Sequence, residues 1–156
     1  MILRALALTL LAAPAAALSC LPPDPVRTFT ALNEAPEEYV VVLGRLDFDP
    51  TALPQPTGGA MDPNRTDPPQ RVRATMTGKA LGMEGFGMPW SGTVILEAEC
   101  FGPWCPWQQP GRYMAFLKRE GDQRTLMVNA CGGNAFGDPS PVDVARVEDC
   151  MKGACG

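Results

Sequence analysis

Apolar residues along this chain fall into short β-branched or alternating runs rather than into a helical period, and five of those runs read as strands. Tyr39 to Phe48 opens on Val40, Val41, Val42 and Leu43 and then alternates, as expected for a strand leaving a buried core. Gln70 to Thr77 sets Val72, Ala74 and Met76 against Arg71, Arg73 and Thr75, so that one face is buried and one is wet. Thr93 to Glu99 carries Val94, Ile95 and Leu96 and ends at Cys100. Arg112 to Leu117 and Thr125 to Cys131 flank the turn residues Glu120-Gly121-Asp122, which makes them a hairpin. Five strands within about a hundred residues predict a mainly β fold, a small barrel or sandwich.

Two short helices frame these strands. Asp24-Pro25 supplies a cap and a first-turn proline for a helix running to about Leu32. Ser140-Pro141-Val142-Asp143 has the cap, proline and acidic third position of a second start, and Gly153 suits the left-handed stop after Lys152. Residues 49–69 are rich in proline and glycine and lack any apolar period, which predicts one long loop. Asn64-Arg65-Thr66 within it is formally a glycosylation acceptor, a use set aside because the leader reads as bacterial. Met83, Phe86, Met88 and Trp90 form a glycine-interrupted apolar stretch expected to loop over one end of the fold.

The first seventeen residues stand apart. Arg4, the apolar run Ala5 to Ala13, Pro14 and the triplet Ala15-Ala16-Ala17 follow the order of an export signal. Cleavage after Ala17 starts the mature chain at Leu18, and residues 18–156 then make one domain. Cleavage after Ser19 is the alternative, leaving Cys20 first and open to a lipid anchor; Ala17 stands where a lipoprotein signal usually has Leu, which makes this the minor case. No apolar run approaches the roughly 20 residues of a membrane-spanning helix.

Composition narrows the function. The 17 acidic residues outnumber 13 basic ones for a net charge of −4, with no basic cluster, so nucleic acid is not an expected partner. The 16 glycines and 17 prolines approach a disordered composition, but they punctuate clear strand patterns. Histidine is absent, which removes Ser-His-Asp and Cys-His catalysis. The carboxylate pairs Asp47 with Asp49 and Glu97 with Glu99 share a face at i,i+2, and such acids on a wet strand face usually serve solubility. A small acid-dependent hydrolase is therefore the third reading. Asp47, Asp49, Asp62 and Asp67 lack the ordered spacing of a known calcium loop, and no cofactor or resident metal is expected.

The six cysteines say most about how the domain is held. Cys100 and Cys105, like Cys150 and Cys155, are separated by four residues, and no C-x-x-C occurs, so a disulfide oxidoreductase is not indicated. A tetrahedral zinc site tolerates this spacing, yet an oxidising compartment favours bridges. Of the 15 possible pairings, Cys20–Cys131, Cys100–Cys105 and Cys150–Cys155 are expected.

Ser19-Cys20-Leu21-Pro22-Pro23, a short helix and then Tyr39 to Gly44 resemble the opening of the netrin-like family, which includes the tissue inhibitors of metalloproteinases. Gly111 to Phe116 followed by Leu126 to Cys131 resembles its closing hairpin, with a last-strand cysteine that pairs with the opening one. The resemblance implies a disulfide-stapled, five-stranded OB-like barrel. It departs where the inhibitors carry a zinc-chelating first cysteine, because that position here is Leu18. An exported non-catalytic module binding a protein or peptide, periplasmic or extracellular, is thus the first reading. A metalloprotease inhibitor acting through the processed terminus Leu18, Ser19 and Cys20 is the alternative. Trp104 and Trp107, stiffened by Pro103 and Pro106, are the expected binding aromatics, with Trp90 a further candidate.

Overall fold

The computed structural model describes residues 18–56 and 68–155. The export leader, Asp62, Asp67 and the Asn64-Arg65-Thr66 acceptor lie outside the described residues. In chain order the elements are α1 (Pro25–Asn33), β1 (Tyr39–Phe48), a 3-10 turn (Pro50–Ala52), β2 (Gln70–Gly82), β3 (Gly85–Glu99), β4 (Gly111–Glu120), β5 (Gln123–Asn129), β6 (Ala135–Gly137) and α2 (Pro141–Met151). The chain is mainly β.

β1 pairs antiparallel with β2 on one side and β4 on the other, and β2 pairs with β3. β3 runs parallel to β5, which pairs with the end of β4, so five strands form a closed ring. The short β6 adds to β4 along Tyr113–Ala115.

Strand patterns follow from which faces are covered. Val42 and Leu46 of β1 point into the ring with Val72, Met76, Val94, Leu96, Leu117 and Leu126. Val41 points outward and is buried all the same, because α1 and α2 cover that face with Phe29, Leu32 and Val147. The run Val40-Val41-Val42 is thus two-sided burial. β4 does likewise: Tyr113, Ala115 and Leu117 face the ring, while Met114 and Phe116 face the helices. Phe116 meets Phe136 edge-on, with ring centroids 5.7 Å apart.

Three expectations need correction. Phe86, Met88 and Trp90 are not a loop: they lie in β3, and the β2–β3 hairpin turns at Met83-Glu84. Glycine there serves close packing rather than breaking the strands, since Gly85 adopts φ +91° under Glu148, whose Oε1 accepts the Phe86 N–H at 3.0 Å. β5 stops at Asn129 rather than Cys131, because Asn129 Oδ1 accepts the Cys131 N–H at 2.9 Å and turns the chain. The stretch 49–69 begins as ordered structure: Asp49 caps the 3-10 turn, and Leu53 is buried in the ring core.

All six cysteines are paired, as Cys20–Cys131, Cys100–Cys105 and Cys150–Cys155. Among the described residues no helix is long and apolar enough to cross a membrane.

Candidate functional site

The segment joining β3 to β4 builds the site. Just past Cys100, Phe101 and Trp104 exchange backbone hydrogen bonds of 2.7 and 3.2 Å inside the Cys100–Cys105 ring, with Gly102 at φ +58° making the turn. The chain leaves this ring through the buried Pro106 and presents Trp107, 69% exposed. The indole N–H of Trp107 donates to the Ala130 carbonyl at 3.3 Å. The next residue, Gln108, turns inward and is 3% exposed; its Nε2 donates to the carbonyls of Asn129 at 3.3 Å and Gly132 at 3.2 Å. Two consecutive side chains therefore clamp this segment onto the loop after β5.

Cys20–Cys131 fastens the same loop to the N-terminal segment, so stretches far apart in sequence converge. Between them opens a cleft of about 470 Å³ lined by Trp107, Tyr113, Phe136, Pro23, Pro110 and Pro139. That volume lies in the range of small-ligand and peptide sites.

Polar groups at the cleft are few. The Tyr113 hydroxyl donates to the Gln109 carbonyl at 2.8 Å. Burial pushes its pKa above the ordinary tyrosine value, and the nearby Asp138 carboxylate adds to the rise. Arg112 donates to the Pro139 carbonyl at 3.0 Å. Asp138 is exposed, at φ +43°, a left-handed conformation that Asp and Asn tolerate better than most residues. Gln108 Oε1 has no hydrogen-bond partner, alone among the buried side-chain nitrogens and oxygens of the described residues.

Of the residues expected at a site, the structure brings Trp107 and the Cys20–Cys131 bridge together at this cleft. Trp104 is half-buried in its own disulfide ring and does not line the cleft. Trp90 packs against the ring core beside Gly92. Leu18 is half-buried and Ser19 exposed, just ahead of Cys20. The Cys20 sulfur is spent in its disulfide and cannot in that state also carry a thioether lipid. Gln108, Tyr113, Phe136 and Asp138 were not expected, and only the proline-flanked run Gln108-Gln109-Pro110 offered a local signal.

The paired acids have other partners. Asp47 binds Arg45 at 2.7 Å, and Glu97 faces Arg71 at 3.5 Å across β2 and β3. Asp49 accepts hydrogen bonds from the Thr51 hydroxyl and N–H, which hold its carboxyl below the ordinary range. Among the described residues no group of three or more Cys, Asp or Glu is arranged to hold a metal ion, and none of the cysteines is free to do so. Comparison with family models, with curated proteins and with solved structures finds no match to this chain.

Proposed function

We propose that this chain is an exported, non-catalytic binding module that takes a protein or peptide segment in the cleft beside Trp107. The leader pattern of Met1 to Ala17 and three disulfides support export to the periplasm or beyond. The five-strand ring, its two helices and the link from Cys20 to Cys131 in the turn just after β5 support an OB-like, netrin-like domain.

Trp107 carries the proposal. A tryptophan 69% exposed costs solubility, and this one is held by its indole hydrogen bond, between a buried proline and a buried glutamine, at the edge of an apolar cleft. A large aromatic already immobilised loses little entropy on binding, and such residues dominate protein and peptide interfaces.

Random-peptide display against the immobilised, oxidised domain tests this. Enriched peptides are expected to bind Trp107→Ala at least tenfold more weakly while its melting temperature stays within a few degrees. Selected peptides that bind Trp107→Ala and the parent equally would remove the cleft from consideration.

A further inference from the structure

We propose that the Asp138–Pro139 peptide bond is a self-cleaving site, opened in mild acid by the Asp138 carboxylate, that turns the domain into a two-chain form with α2 still docked. Nothing in this activity depends on the peptide-binding reading above.

The reaction needs only water and acid. A carboxylate oxygen attacks the backbone carbonyl carbon of its own residue and closes a cyclic anhydride; the bond from that carbon to the proline nitrogen breaks, and the nitrogen takes up a proton from solvent. Water then opens the anhydride, leaving aspartate as a new C-terminus and proline as a new N-terminus. Proline is the favoured leaving group because its amide nitrogen is tertiary, carries no N–H and is more basic than that of other peptide bonds.

Five Asp-Pro bonds occur in the chain, after Asp24, Asp49, Asp62, Asp67 and Asp138, and Asp62 and Asp67 lie outside the described residues. Asp24 and Asp49 are held away from this reaction. Asp24 caps α1, accepting the Val26 N–H at 3.0 Å, and faces Arg146 at 3.7 Å. Asp49 accepts the Thr51 N–H at 2.9 Å and its hydroxyl at 2.7 Å. Both have the extended backbone that a following proline favours, at φ −133° and −82°.

Asp138 differs on each count. Its φ of +43° lies outside the range that a following proline favours, a strain that cleavage releases. Its exposed side chain makes no hydrogen bond or ion pair with the described residues, so its carboxylate is uncommitted. The charged and titratable groups around it are Arg112 and Tyr113 of β4 and Asp143 of α2, and each is engaged elsewhere. Arg112 donates to the Pro139 carbonyl at 3.0 Å, Tyr113 to the Gln109 carbonyl at 2.8 Å, and Asp143 accepts from the Ser140 hydroxyl at 2.8 Å. The Asp138 N–H donates to the Arg112 carbonyl at 2.9 Å, so β4 grips the backbone on both sides of the scissile bond.

The fold also keeps what is cut. The piece Pro139–Gly156 contains α2, whose Val147 is buried with Val41, Met114 and Phe116, and whose Glu148 accepts the Phe86 N–H at 3.0 Å. Cys150–Cys155 closes within this piece, while Cys20–Cys131 and Cys100–Cys105 lie wholly before the cut. The two chains therefore stay together when folded and part on unfolding without any reductant.

The test holds the oxidised domain for days at about pH 4.5 and at about pH 7.5, then weighs the denatured, unreduced product by mass spectrometry. The piece Pro139–Gly156 is expected to appear at least tenfold faster at the lower pH, and at least tenfold faster than cuts after Asp24 or Asp49. Asp138→Gly, which keeps the left-handed backbone and removes the carboxyl, should not release it. Size-exclusion in native buffer should carry both pieces in one peak, and in guanidinium at the same pH the preference for Asp138 should vanish. A chain that stays intact, a cut that persists in Asp138→Gly, or equal rates after Asp24, Asp49 and Asp138 in the folded domain overturns the assignment. A preference that survives in guanidinium overturns it too, since sequence rather than fold then selects the bond. A small piece that elutes alone overturns the docked two-chain form.

Discussion

Gly44 of β1 and Gly78 of β2 stand directly opposite one another, and neither position has room for a Cβ. A Cβ on Gly44 would fall on the Thr77 carbonyl and lie 2.6 Å from Gly78 Cα; one on Gly78 would fall on the Leu43 carbonyl and lie 2.5 Å from Gly44 Cα. Backbones this close are possible only where neither residue carries a side chain. Alanine at either position is expected to cost about 2–4 kcal/mol in urea unfolding, because backbone rather than a flexible side chain must move. Gly87→Ala, in β3 with nothing within 4 Å of its added Cβ, should change stability by less than about 0.5 kcal/mol. Equal costs at all three positions would refute the close approach.

The tryptophans should separate stability from binding. Trp90 packs against the ring core, and Trp90→Ala is expected to cost about 3 kcal/mol. Trp107→Ala removes one exposed indole and one hydrogen bond, a cost of about 1 kcal/mol or less. Chemical denaturation of the two variants checks the order; a larger loss at Trp107 would make it a structural residue.

The three bridges are unequal. Cys20 and Cys131 are 111 residues apart in sequence, against 5 for each of the other pairs. Constraint of the unfolded chain then gives about 4–5 kcal/mol for the long bridge and about 2 kcal/mol for each short one. Replacing Cys20 and Cys131 together by serine should therefore destabilise most, and it should also abolish peptide binding, since the bridge holds the N-terminal wall of the cleft. Unfolding curves of the three double variants give the ranking directly.

Stability should respond to acid and little to neutral pH. Glu120 is held below the ordinary carboxylate range, chiefly by the Thr125 hydroxyl donating at 2.7 Å, and Asp49 by Thr51. A depressed native pKa stabilises the fold above the unfolded value, and that contribution is lost as pH falls through the native value. Unfolding free energy is thus expected to drop below about pH 4. With no histidine, it should be nearly flat between about pH 5 and pH 8. Thr125→Val should raise the Glu120 pKa, read by carboxyl NMR titration.

Local chemistry made much of the fold legible. The run Tyr39 to Phe48 is β1 residue for residue, and the caps Asp24 and Ser140 with their prolines mark both helix starts. The upper half of the β2–β3 hairpin was hidden because Gly82, Gly85 and Gly87 look like chain breaks, whereas the ladder pairs Gly82 with Gly85 and only skips Gly87, at the single register shift between Ala80 and Leu81. β6 spans three residues, too few for any period. The cleft was hidden for a different reason: its walls come from four separate stretches of chain, and proline and glycine carry no periodic signal. Nor does local pattern separate Trp107 from Trp90, since exposure depends on which face of the ring each residue meets.

Amide and indole NMR of the oxidised domain, titrated with a peptide that it binds, tests the central claim most directly. The account predicts the largest shifts at the Trp107 indole N–H and at the amides of Gly132, Phe136 and Asp138. Shifts concentrated instead on the exposed faces of β2 and β3, with the Trp107 indole unmoved, would contradict it.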